Sequence, residues 1–142
     1  MKNVNIVYKF SEINLDEEYD RVVGVYVLKI KTPHTEWEYY GESSHCLNRF
    51  KSHIMDLQKK EHSNNRVQEK YKKYGEDAVS FTILNTYDNE YNKDPDRAYK
   101  LRYNKETKYI QSNRKCLNIQ KKKTKKQLRK SRMGYFKYGR RY

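Results

Sequence analysis

Residues 22–30, VVGVYVLKI, constrain this chain more than any other stretch. Val23, Val25 and Val27 fall on one side of an extended backbone, with Gly24, Tyr26, Leu28 and Ile30 on the other. β-Branched and aromatic side chains dominate both sides, as a half-buried strand prefers. Residues 31–35, with Pro33, predict a turn, and residues 37–41 return as a second strand. Tyr26 and Tyr39 then stand on adjacent antiparallel strands. Gly24 and Gly41 leave backbone space beside them, which in a strand signals close approach of a ligand or another chain.

Helices follow the hairpin. Ser43 or Ser44 can cap one that runs to about residue 60, with Leu47, Phe50, Ile54 and Leu57 as its apolar stripe. A second is expected over residues 63–74, closed by Gly75. Val79, Phe81 and Ile83 alternate with polar neighbours and predict a third strand, and residues 86–93 a loop. Asp94-Pro95 is a helix start, a cap residue followed by Pro in the first turn, and that helix should reach residue 112. Residues 3–10 also alternate, and predict a strand peripheral to the rest. Residues 11–21 are acidic and read as a loop or short helix.

Charge divides the chain in two. Of its 32 Lys and Arg, 11 lie in residues 119–142 with none of the 18 acids, which leaves 21 against 18 before them. The body is nearly neutral and the tail is a polycation. Such a tail binds polyanions by releasing counterions, and nucleic acid is the commonest; a solvated tail without a partner is the plainer option. The candidate contacts there are Lys121, Lys122, Lys123, Lys125, Lys126, Arg129, Lys130 and Arg132, with Gly41 and Lys51 in the body. A membrane is not the expected partner, because the tail has no wide apolar face and no run approaches the roughly 20 residues of a span. Two cysteines make neither a disulfide framework nor a Cys-cluster zinc site, and no signal peptide opens the sequence, so a reducing, cytoplasmic location is expected.

Several side chains stand out as chemistry. Arg49 and His53 are four apart, hence neighbours on one helix face, suited to a phosphate and to proton exchange near neutrality. Glu106 interrupts a face otherwise built from Tyr99, Tyr103 and Ile110, where a carboxylate is costly unless paired, hydrogen-bonded or metal-bound. Taken singly, each has a plainer explanation. Arg49 and His53 suit an ordinary basic helix, the tyrosines suit a core in a chain with 15 of them, and Glu106 can reach solvent or Arg102.

Taken in order, the set resembles the GIY-YIG nuclease superfamily. Gly24-Val25-Tyr26 is similar to its first motif and Tyr39-Tyr40-Gly41 to its second. Arg49 and His53 follow on a helix. Glu106 in Lys105-Glu106-Thr107-Lys108-Tyr109-Ile110 matches the metal-binding Glu, and Asn118 matches the Asn that supports the site. The resemblance covers about residues 22–119. It leaves residues 1–21 as an N-terminal extension, with an extra strand in it, and residues 120–142 as a basic, aromatic-containing arm.

The resemblance implies an α+β domain with a small three-stranded antiparallel sheet flanked by helices. It implies an endonuclease hydrolysing DNA, double-stranded in the first instance, with one Mg²⁺ or Mn²⁺ at Glu106. Tyr26 would be the general base or water-positioner assisted by His53, Tyr39 a hydrogen-bond partner of water or phosphate, and Arg49 the phosphate clamp. One site cuts one strand, so a double-strand break calls for a homodimer, two binding events or a rotation. The likeness to phage-type members implies a phage or mobile element as source, and then the host cytoplasm as location. The alternative is a non-catalytic basic DNA- or RNA-binding protein that keeps the fold.

Overall fold

The structure, a computed structural model, describes residues 1–113 and 115–118. Four strands form one antiparallel sheet: β1 (Lys2–Lys9), β2 (Gly24–Lys31), β3 (Glu36–Ser43) and β4 (Val79–Thr86), in the order β1-β4-β2-β3. The expected three-stranded sheet is therefore corrected to four. The strand at the N-terminus joins the same sheet as its exposed edge strand beside β4, pairing Ile6 with Ile83 and Tyr8 with Phe81. Its register shifts between Asn3 and Ile6, where Asn5 adopts a positive φ of 50°, so its alternation is not carried by one unbroken strand. Phe10, at the end of the alternating run, opens a short 3₁₀ turn and stacks on Tyr71 at 5.9 Å.

The helices are α1 (Cys46–Gln58), α2 (Asn65–Tyr74), α3 (Asp88–Lys93) and α4 (Pro95–Ser112). Asn64 caps α2 by accepting from the Arg66 and Val67 amides, and Gly75 ends it at φ 82°. Asp94 caps α4 through the Arg97 amide, with Pro95 in its first turn. The expected loop over residues 86–93 holds α3.

Helices cover both faces of the sheet, and this buries β2 more deeply than a half-exposed strand. On one face Tyr26, Leu28 and Ile30 pack with Phe81 against Phe50, Ile54 and Leu57 of α1 and Val67 of α2. On the other, Val23, Val25 and Tyr87 meet Tyr91 and Leu101, while Val27 and Tyr40 meet Tyr109 and Ile110. A thin core suffices because the strands are shared by two helical layers.

The deepest charged group on α4 is Arg102, fully buried beside Glu42 of β3 with Nε 3.5 Å from the carboxylate. Glu106, one turn on, is only half-buried. Arg102 thus pairs with Glu42.

Candidate active site

Register builds the site. Tyr26 lies directly across from Gly41, and a Cβ at position 41 would overlap the Tyr26 ring and hydroxyl. The space that Gly41 leaves is therefore filled by Tyr26 itself. On its other side β2 slips register against β4 between Val25 and Tyr26, a bulge at the residue that carries the hydroxyl. The ring is stacked on Phe81 at 4.6 Å, so the oxygen has little freedom.

Helix α1 brings two donors to that oxygen. Arg49 Nε lies 3.4 Å from Tyr26 Oη and His53 Nε2 lies 2.9 Å from it. The expected pair on one helix face is thus observed on a common acceptor. His53 Nδ1 is in turn 2.7 Å from His62 Nε2, and the Asn64 amide donates to His62 Nδ1 at 3.0 Å. The direction of every bond follows from the last. A backbone N–H can only donate, so His62 Nδ1 is bare and its proton sits on Nε2. That proton is donated to His53 Nδ1, which leaves the His53 proton on Nε2, pointing at Tyr26. The Tyr26 oxygen accepts from both His53 and Arg49, and its own hydrogen must point elsewhere.

Both imidazoles are buried, and the electrostatics agree with neutral rings. Burial drives His53 well below the usual imidazole range, with the Arg49 and His62 charges acting in the same direction. Burial also lowers His62, opposed by the Asn64 amide and Asp56. Tyr26 is pushed far up by burial; Arg49 works against that, while Tyr39 and Glu106 add to it. Glu106 is therefore close enough for its charge to be felt at Tyr26. Tyr39 stands edge-on to both imidazoles, 5.8 Å from His53 and 5.9 Å from His62.

Asn118 does a different job. Its amide accepts from the Tyr40 N–H and donates to the Tyr40 carbonyl, both at 2.8 Å. It pairs with the outer edge of β3 as another strand would, and so fixes the residues on either side, Tyr39 and Gly41. Lys51 lies two positions beyond Arg49 and so on another face of α1; it binds the Glu17 carbonyl at 2.8 Å and the Glu18 carboxylate at 3.4 Å. The structure brings together Tyr26, Tyr39, Arg49 and His53, and does not bring Lys51. The eight basic residues from Lys121 to Arg132 lie outside the described residues.

His62 and Asn64 were not among the residues singled out from sequence. The available signal was one histidine within α1 and a second in the α1–α2 turn, with an Asn cap behind the second.

No protein-family model, curated protein or solved structure matches the chain. Among the described residues no group of three or more His, Cys, Asp or Glu side chains could hold a metal ion. Glu106 thus belongs to no such group.

Proposed function

We propose that the chain is a metal-dependent endonuclease of GIY-YIG type that hydrolyses DNA phosphodiester bonds. One observation carries this reading: Arg49 and His53 converge on the hydroxyl oxygen of a buried tyrosine. Two N–H donors on one phenol oxygen stabilise negative charge there, and a core tyrosine needs no such pair. Tyr26 positions the attacking water, and it receives that water's proton only once its own proton has passed to solvent to leave the phenolate. Arg49 clamps the scissile phosphate and opposes the charge that grows on it. His53 holds the Tyr26 oxygen as a neutral donor, and His62 with the Asn64 amide holds His53 in that tautomer. Tyr39 borders the water and phosphate. Glu106 would bind Mg²⁺ or Mn²⁺, which supplies positive charge to the phosphate and to the leaving oxygen.

The burial of Tyr26 favours a second reading, because it opposes ionisation. In that reading the same fold binds nucleic acid without cutting it. Plasmid nicking separates the two. Wild type should nick with Mg²⁺ and stop with chelator, Glu106→Ala should be inactive, and Arg49→Ala should lose about 10²–10³-fold in rate. Equal behaviour of wild type and Glu106→Ala removes the nuclease.

A further inference from the structure

Strand β3 carries more than Tyr39 and Gly41 on the site's face. Trp37 lies two residues before Tyr39 and points the same way. Its ring stacks on Tyr74, the last residue of α2, at 5.2 Å and 24°. Beyond this pair lies a cleft of about 540 Å³ between the β2–β3 turn and the end of α2. Tyr74, Pro33, His34, Lys31 and Asp77 line it. That volume is in the range of small-molecule sites.

The cleft has a rigid wall. The Thr32 hydroxyl accepts from the His34 and Thr35 amides at 3.4 and 3.1 Å, and the Thr32 amide donates to the Thr35 carbonyl at 2.8 Å. The opposite wall is Tyr74, which Trp37 backs from behind. Cations stand over both rings: Lys70 Nζ lies 4.5 Å from the Trp37 centroid and Lys73 Nζ 5.3 Å from that of Tyr74. Lys31 and Lys73 are exposed.

Distance ties the cleft to the site. Helix α2 begins at the turn that holds His62 and ends at Tyr74, ten residues on, or about 15 Å at 1.5 Å each. Along β3, Gly41 to Thr35 covers about 20 Å at 3.3 Å per residue. A nucleic-acid strand held at Arg49 reaches the cleft within a few nucleotides.

We propose that this cleft binds an unpaired nucleobase a few nucleotides from the scissile phosphate, so that the substrate is DNA with a single-stranded segment beside the cut. The inference rests on the nuclease reading for its substrate, but not for its chemistry. The Tyr74 ring stacks on any base face once the Lys73 ammonium over it swings to an adjoining phosphate. Asp77 is unsuited to a phosphate. It suits the amino edge of a base, such as the N4 group of cytosine. A paired base within a duplex cannot enter a cleft of this kind without leaving its stack.

Trp37 is the single tryptophan of the chain, and its emission reports on this wall through its stack on Tyr74. The test uses the full chain with Glu106→Ala in chelator, so that nothing is cut. It is titrated with an eight-nucleotide oligo-dC and with an abasic oligomer carrying the same number of phosphates. Oligo-dC should change the Trp37 emission saturably and the abasic oligomer should not. Tyr74→Ala should weaken oligo-dC binding about tenfold. Because Tyr74 also packs on Trp37, the exposed substitutions Asp77→Asn and His34→Ala are run beside it, and should weaken the response without lowering the melting temperature. An equal response to the abasic oligomer, or an oligo-dC response that survives all three substitutions, overturns the proposal. Nicking by the wild type with Mg²⁺ is measured in parallel. A saturable base-dependent signal without nicking supports the cleft and removes the nuclease; nicking without that signal does the reverse.

Discussion

Acidification should unfold this protein through two histidines that the fold keeps neutral. His53 and His62 lie in series between the Asn64 amide and Tyr26, and a proton added to either puts two donors face to face. Burial lowers both from the ordinary value, with Arg49 contributing at each. In the unfolded chain both return to about 6.5. The unfolded state therefore takes up protons first as the pH falls. The stability is fully present above about pH 6.5 and is lost progressively below it, towards the depressed folded values. From pH 6.5 to 5.5 a histidine held well below the ordinary value, as His53 is, contributes a loss of about 1 kcal/mol, and His62 adds a loss of the same sign. His53 alone then gives about 4 °C in Tm over that first unit for a chain of this size. Thermal melts followed by circular dichroism between pH 7.5 and 5.5 measure it. The double variant His53→Gln/His62→Gln subtracts the contribution of carboxylates. If its midpoint falls as steeply with pH as that of the wild type, the neutral relay is wrong.

Other perturbations probe the surrounding frame. Gly41→Ala forces a methyl group into the Tyr26 ring and should destabilise by about 1–3 kcal/mol, and it should reduce nicking further than the stability loss accounts for. Glu42→Gln leaves the buried Arg102 charge without its counter-ion and should cost about 3–5 kcal/mol in denaturant melts, whereas Glu42→Leu with Arg102→Met should recover most of that. Deleting residues 120–142 removes 11 cations and should flatten the log–log salt dependence of duplex binding by up to about 10 units, measured by fluorescence anisotropy; an unchanged slope refutes a role for the tail in binding.

The elements readable from sequence were those whose signals are local. The Asp94-Pro95 start of α4, the Gly75 stop of α2 and the alternation of β2 each depend on a few adjacent residues, and each appears where the pattern places it. The place of β1 in the sheet was not readable, because it depends on pairing with β4 more than 70 residues away and on a register slip at Asn5. Short α3 carries too few turns for a periodic signal. At the site, the helical spacing of Arg49 and His53 was legible and the meeting with Tyr26 was not, since it needs Gly41 opposite the ring. Periodicity marked Glu106 as the buried acid of α4, yet the helix is rotated so that Arg102 takes the deepest position. A buried Arg paired to a Glu from another strand leaves no trace in a helical wheel.

The segment at Leu117 and Asn118 also sets the order of events as the chain is made. Its backbone and side chain tie together two pieces of the site. Leu117 donates to the Glu38 carbonyl and accepts from the Asn64 side chain, and Asn118 clasps Tyr40 from 78 residues away. A growing chain that has passed α1 and α2 holds Tyr26, Arg49 and His53, but leaves the outer edge of β3 open and the Asn64 amide group unanchored. Such long-range closures come late, because the loop entropy must be overcome first. The cluster around Tyr26 then tightens only once Leu117 and Asn118 have left the ribosome, which under the proposed nuclease reading delays the appearance of a competent site.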